Sequence, residues 1–377
     1  MNGCLHPARG THPCHPPVGA ALAANICGQS PLLQRGVGSI WQSILLALCL
    51  LLLTTSAQAK PEFELKFATL APPGSTWMVL LEEWGAEVRE RSQGRLAFKF
   101  YPGGIQGDEP DVLRKMRFGQ VHGGAFSGHG IGLMYSPARV LELPFLFENF
   151  AEIDHVREHF TPRFEDGFRD NGYELLGWME VGFVHIFSQR PVESVDDLKS
   201  RRVWLWQGDP LGRAFFSASG VSPVPLSIID VFTSLSTGLI DTVYSTPLAS
   251  IALQWFTKTD YVSETPLTNA MGALVVSKRF HDSLPEDLRA LLRETGHEAG
   301  LRLIEASRVD NDKSMDELRR RGMTVVPASD GMAEEELRAI SDRAARELMD
   351  SGYIPEVLVE EARRLLDQQR TQAAVAP

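Results

Sequence analysis

The sequence has no cysteine beyond Cys49; all four, Cys4, Cys14, Cys27 and Cys49, lie in its first 59 residues. From Lys60 onward the chain can form no disulfide, use no thiolate nucleophile and bind no metal through sulfur, so its stability has to come from burial. The G-x-S-x-G, H-E-x-x-H and Walker patterns are also missing, which removes three common signatures of catalysis. No apolar run is long enough to span a bilayer. Positive charge is in deficit: from Lys60 onward 35 basic residues face 48 acidic ones, a formal charge of −13. That balance argues against nucleic acid as a partner and leaves no basic patch for a membrane surface.

The first 59 residues have the opposite lack, with no acidic side chain and only Arg9 and Arg35 as cations. A short apolar run over residues 44–53 is followed by Thr54, Thr55, Ser56 and then Ala57-Gln58-Ala59. This reads as the hydrophobic region of a signal peptide with an A-x-A cleavage site, and it predicts Lys60 as the mature N-terminus. Leu48, just before Cys49, is too large for a lipoprotein processing site, so no lipid anchor is expected. The Pro-, Gly- and His-rich stretch before about residue 35 fits neither role, and a misassigned start codon would account for it. About 318 residues remain, enough for one large or two medium domains.

The remaining chain opens on Phe63-Glu64-Leu65-Lys66-Phe67, the alternation of a half-buried strand. A helix follows over residues 75–91, with Trp77, Leu81, Trp84 and Val88 on one face. Leu96, Phe98 and Phe100 alternate into a second strand, and residues 111–118 read as a helix. Strand and helix alternate to about residue 275, predicting an α/β fold with largely parallel sheets. Ser194 with Asp197, and Ser283 with Glu286, resemble capping boxes. A helical pattern then runs over residues 285–321, broken only by Gly296 and Gly300. Unbroken, it would reach roughly 55 Å, beyond one domain's width, so it either spans two lobes or bends at the glycines. Two more helices are expected near residues 332–349 and 355–369. There is no long linker, so two lobes would have to be joined by crossing strands.

Two places carry possible chemistry. His122 and His129 flank a Gly-rich stretch and could be metal ligands, but no carboxylate partner accompanies them, so no metal or cofactor is expected. The glycines read better as sites of close backbone approach beside a ligand cleft. Trp204 and Trp206, two apart on a strand, face the same side, as an aromatic core stripe would.

Several segments together carry a resemblance to a known family. They are Glu90-Arg91-Ser92-Gln93-Gly94-Arg95-Leu96 running into Tyr101-Pro102-Gly103-Gly104 and Gly107-Asp108-Glu109; Leu143-Pro144-Phe145-Leu146-Phe147; Asp197-Leu198-Lys199 followed by Pro223-Val224-Pro225-Leu226; Thr237-Gly238-Leu239-Ile240-Asp241; and Leu284-Pro285-Glu286-Asp287. In these the chain resembles the substrate-binding subunits of tripartite ATP-independent periplasmic (TRAP) transporters, the dicarboxylate-binding-protein family, over nearly all of residues 62–350. The resemblance implies a two-lobed α/β periplasmic-binding-protein fold of type II-like form, with a long helix bridging both lobes. Residues 60–181 with 270–309 would form one lobe and residues 182–269 with 310–370 the other, after removal of a leader over 1–59. It further implies no catalysis, no cofactor, a location in the periplasm, organic-acid ligands, and a permease of one small and one large membrane subunit as partner.

The departures from the family pattern bear on the ligand. The family's carboxylate-pairing arginine falls at Trp204, a second basic position near Val184, and an acidic first-lobe position near Phe126. An arginine fork offers paired charge-assisted hydrogen bonds, whereas an indole offers one donor and a large apolar face. The pocket is therefore expected to prefer a bulkier, less charged or aromatic ligand, or an organic acid whose carboxylate is held elsewhere, unless Arg202, Arg213 or His185 supplies the missing charge. On this reading Trp204 moves from core stripe to pocket wall. The expected ligand contacts are Trp77, Phe126 and Ser127, with His129 beside them, from one lobe, and Val184, Trp204, Trp206, Tyr244 and Ser245 from the other. A receptor that presents its ligand to a signalling protein and a periplasmic enzyme on the same fold are the rival readings.

Overall fold

A computed structural model describes residues 60–327 and 334–375. The expected leader, residues 1–59, lies outside the described residues. Strand β1 (Phe63–Thr69) leads into helix α1 (Thr76–Arg91), whose N-terminus is capped by Ser75 accepting from the Met78 N–H. The predicted face of α1 is buried, and Trp84 meets Phe67 of β1 edge-on at 5.6 Å. After β2 (Leu96–Tyr101), helix α2 (Glu109–Arg117) starts two residues before its expected position, because Asp108 caps it by accepting from the Glu109 N–H at 2.7 Å. Then come β3 (Gly123–Ser127), α3 (Gly128–Met134), a 3₁₀ segment (Ser136–Glu142), α4 (Phe150–Asp170) and β4 (Tyr173–Ser188). The chain continues through α5 (Val195–Lys199), β5 (Trp204–Trp206), α6 (Pro210–Ser219), β6 (Val224–Leu226), α7 (Val231–Thr237), β7 (Thr242–Ser245) and α8 (Pro247–Ala252). It closes with β8 (Tyr261–Ser263), β9 (Thr268–Ser277), α9 (Lys278–Ser283), α10 (Glu286–Arg320), β10 (Thr324–Val326), α11 (Glu334–Asp350) and α12 (Glu356–Val375).

The sheet order is β10-β8-β4-β9-β3-β1-β2, with β7 also on β4 and a separate β5-β6 pair. The expectation of largely parallel sheets is corrected to a mixed sheet. β1 pairs in parallel with β2 and β3, β8 with β10 and β5 with β6, but β9 is antiparallel to β3 and β4, and β4 is antiparallel to β7 and β8. Helical crossovers build the parallel pairs; the two longest strands, β4 and β9, instead run side by side in opposite directions, and β4 continues past β9 to pair with β7 and β8. Their register shifts between Glu180 and Gly182, where Gly182 takes φ +115° and an added Cβ would lie 2.4 Å from Asn311 Nδ2. Before this bulge β4 belongs with β9, β3 and β1; beyond it, from His185, β4 takes up β7 and β8. The halves are thus joined by crossing strands.

Helix α10 is unbroken for 35 residues, about 52 Å at 1.5 Å per residue. Its glycines make no bend. A Cβ at Gly296 would come within 2.7 Å of Leu176 Cβ, and one at Gly300 within 2.3 Å of the Trp178 carbonyl oxygen, so the glycines let helix backbone lie directly on β4. Towards its C-terminus Asn311 donates to the Val181 carbonyl at 2.8 Å and accepts from the Leu248 N–H at 3.0 Å, tying the helix to the bulge and to α8. The Ser194–Asp197 cap forms, with Ser194 Oγ accepting from the Asp197 N–H at 3.1 Å. The Ser283–Glu286 capping box does not: Ser283 donates to the Phe280 carbonyl within α9, and Pro285 occupies the cap position of α10.

By helix propensity alone Gly300→Ala should stabilise the protein by about 1 kcal/mol. The backbone contact with Trp178 predicts the reverse, a loss on the order of 2 kcal/mol or more, read as a lower urea midpoint. A midpoint unchanged or raised would remove close approach as the reason for this glycine.

Candidate ligand-binding cleft

A cavity of about 170 Å³ opens where the two halves meet. All eight sequence-predicted contacts line it: Trp77 from α1, Phe126 and Ser127 from β3, Val184 from β4, Trp204 and Trp206 from β5, and Tyr244 and Ser245 from β7. Sequence reasoning missed Glu109, Trp255 and Met179 on the same wall. Glu109 stood in the Gly107-Asp108-Glu109 segment, so that motif could have flagged it; Trp255 and Met179 carry no local signal.

The second-half wall is an aromatic stack. Trp204 lies parallel to Tyr244 at 4.8 Å, meets Trp255 edge-on at 5.3 Å, and has Trp206 on its own side of the strand at 5.7 Å. Trp204 is therefore both core and wall, being 2 % exposed yet on the cavity surface. The single donor of each of three wall indoles is spent within the protein. Trp204 Nε1 donates to the Leu226 carbonyl at 3.0 Å, Trp206 Nε1 to the Asp108 carboxylate at 3.1 and 3.2 Å, and Trp77 Nε1 to Ser307 Oγ at 2.8 Å. What they present to a guest is ring surface. Hydroxyls on the wall are engaged too: the Trp206 N–H donates to Tyr244, Ser245 donates to the Thr246 carbonyl, and Ser127 donates to Glu109.

Glu109 is the one carboxylate on this wall, and no Lys or Arg lines it among the described residues. Its oxygens accept from the Ser127 N–H at 2.6 Å, the Ser127 hydroxyl at 3.0 Å and the Gly130 N–H at 2.6 Å. Burial, helped by the neighbouring Asp108 charge and opposed by these donors, pushes its pKa up to about 7. None of the three suggested sources of positive charge reaches the wall. Arg202 pairs with Asp241 at the surface, Arg213 is exposed, and His185 turns its Nδ1 to the Ser263 carbonyl at 2.8 Å. His122 and His129 stand at opposite ends of the five-residue β3, roughly 16 Å of strand apart. His122 stacks on Phe280 at 4.5 Å, and His129 faces the Trp206 ring at 5.1 Å.

Two sets of polar contacts close the seam. Asp108, the cap of α2, accepts from Trp206 Nε1, the Ser227 hydroxyl and the Ile228 N–H. Arg139 of the 3₁₀ segment donates to Asp209, the cap of α6, at 3.0 and 3.3 Å and pairs with Glu142 at 2.6 Å.

The family model for bacterial extracellular solute-binding protein family 7 matches residues 67–350. A solute-binding protein of Roseobacter denitrificans is 27 % identical over 296 residues, 76 % of this chain and 87 % of that protein. The fold is shared with a TRAP periplasmic solute-binding protein from Haemophilus influenzae with bound L-gulonate, at a TM-score of 0.75 and 17 % identity, over 80 % of this chain and 99 % of that one. It is also shared with one from Desulfovibrio salexigens with bound orotic acid, at 0.74 and 16 %, over 82 % and 99 %. With the family match running over about three quarters of the sequence, and a fold shared with two-lobed solute-binding proteins, the chain belongs to the solute-binding proteins of family 7, those of TRAP transporters.

Proposed function

We propose that this solute-binding protein captures a small organic molecule with an aromatic or apolar body and hands it, in the periplasm, to the small and large membrane subunits of a TRAP permease, with no chemistry of its own. Residues 60–181 with 270–309 and residues 182–269 with 310–370 act as the two lobes, and the bulge at Gly182 supports placing the boundary there. Residues 1–59 act as a leader removed on export. The lobes close by hinge motion, and the closed population rises with the ligand's difference in affinity for the two states.

One observation carries the choice of ligand: four tryptophans, Tyr244 and Phe126 wall a cavity that, among the described residues, no Lys or Arg lines. An apolar protein cavity of about 150 Å³ is large enough to bind benzene, and this one is about 170 Å³. Relatives of the same fold hold L-gulonate and orotic acid, whose carboxylates call for paired donors or a cation. Here Trp204 stands where the family resemblance puts the arginine, and a buried carboxylate without a partner costs several kcal/mol. Glu109 adds a like charge whenever it is ionised. A neutral aromatic such as indole is expected to bind at least tenfold more tightly than succinate in calorimetric titration. Tighter binding of succinate would end this reading.

Glu109 also predicts a pH dependence. Its folded-state pKa, about 7, is raised above the ordinary 4.5. The folded protein therefore holds this proton more tightly, and stability declines as pH rises from about 4.5 through 7, by on the order of 3 kcal/mol. Glu109→Gln should abolish that part of the slope, so the wild type loses ground to the variant between pH 4.5 and 8 in denaturant unfolding. Parallel pH profiles of the two proteins would show that Glu109 is not a buried proton-holding group.

A further inference from the structure

A second cavity of about 120 Å³ shares Ser127, Val184, Trp206, Tyr244 and Ala270 with the first. Its character differs, because its wall carries His129, Arg139, Glu142 and Asp209. His129 is 3 % exposed, and among the described residues neither of its ring nitrogens has a hydrogen-bond partner. A buried imidazole in that condition is costly unless something in the cavity meets it. The volume far exceeds the roughly 15 Å³ that one water needs.

Charge decides what that group is. Arg139 is already paired: Nη1 donates to the Gly128 carbonyl at 2.8 Å and to Asp209 at 3.0 Å, Nη2 donates to Asp209 at 3.3 Å, and Nε forms an ion pair with Glu142 at 2.6 Å. Against this one cation stand the Asp209 and Glu142 carboxyls on the same wall. A ligand carboxylate would meet their oxygens and find no free cation. Burial lowers the His129 pKa, so the ring is neutral and offers one donor and one acceptor. A hydroxyl matches that pair, since it both accepts and donates.

We propose that the second cavity is a polar subsite in which His129 binds a hydroxyl group of an elongated ligand whose apolar body fills the aromatic cavity. This rests on the ligand class proposed above and extends it from an aromatic body to an aromatic alcohol. The two cavities meet along Trp206 and Tyr244, so such a molecule would pass beside both rings.

The test uses phenylalkanols of three to five methylene groups, the matching phenylalkanes and the matching phenylalkanoates, titrated into the whole protein. In the wild type the best alkanol is expected to bind at least as tightly as its alkane. His129→Phe should weaken the alkanol by about ten- to a hundredfold and leave the alkane within threefold, which also shows that the variant folds. His129→Gln, which keeps a donor and an acceptor, should retain most of the alkanol affinity. In the wild type, the alkanol but not the alkane should shift the His129 ring-proton resonance, a readout that needs no variant. Equal losses of alkanol and alkane in His129→Phe, or an unshifted resonance, overturn the subsite and leave the aromatic-body reading standing. Phenylalkanoates binding most tightly, or no series binding at all, overturn that reading too.

Discussion

One buried carboxylate, Asp108, ties together most of what shapes the cleft. It caps α2 and so fixes Glu109, the next residue, with its oxygens on the Ser127 and Gly130 amides. It also accepts from the Trp206 indole, the Ser227 hydroxyl and the Ile228 amide, all from the opposite side of the seam. The group that starts a helix in one half thereby sets the orientation of an aromatic wall in the other. Each donor it takes is one the ligand cannot use, and removing it would leave the buried Trp206 indole donor without a partner, at about 1–3 kcal/mol.

The same logic runs round the cavity. Polar groups have been drawn back into the protein, and ring faces are left forward. Trp204 bonds across to β6, Trp77 bonds to α10, and Tyr244 accepts from the strand beside it. A site built this way selects by shape and apolar area more than by hydrogen-bond count, and a small polar acid has little to gain there. Relatives of this fold that hold acids show that the framework accommodates charged guests. On the reading proposed above, the wall selects a different guest, above all through Trp204, the position that the family resemblance assigns to an arginine.

Much of this was legible in the sequence because it rests on local rules. The alternation of Phe63 to Phe67, the Trp77–Val88 face of α1 and the same-side pair Trp204 and Trp206 follow from periodicity, and all three appear as read. Of the eight wall residues, Phe126, Val184 and Trp204 came from counting along the family pattern and Tyr244 and Ser245 from the strand after Ile240-Asp241, and the fold places all eight on one cavity. What escaped depends on long-range pairing. Nothing local says that β4 and β9 run antiparallel, since strand–helix alternation suggests only parallel crossovers. Gly296 and Gly300 look like helix breakers until the β4 backbone they rest on is known. Trp255 reaches the cavity from outside any motif, and no sequence pattern shows that the Trp77, Trp204 and Trp206 indole N–H groups are already spent.

These contacts also set the terms of closure. Opening the seam would expose Asp108 and the Arg139–Asp209 pair to water, which can hydrate them as well as the protein does. Such polar contacts exchange nearly evenly with solvent, so they fix the geometry of the closed form more than its population. The apolar guest has no such substitute. An aromatic body that buries about 150 Å² contributes roughly 4 kcal/mol at 25 cal/mol per Å². If half of that area is covered only when the second wall arrives, roughly 2 kcal/mol separates the two states, a shift of about thirtyfold towards closure. On this account the polar seam chooses which closed structure forms, and the stack of Trp204, Tyr244 and Trp255 supplies the reason to form it.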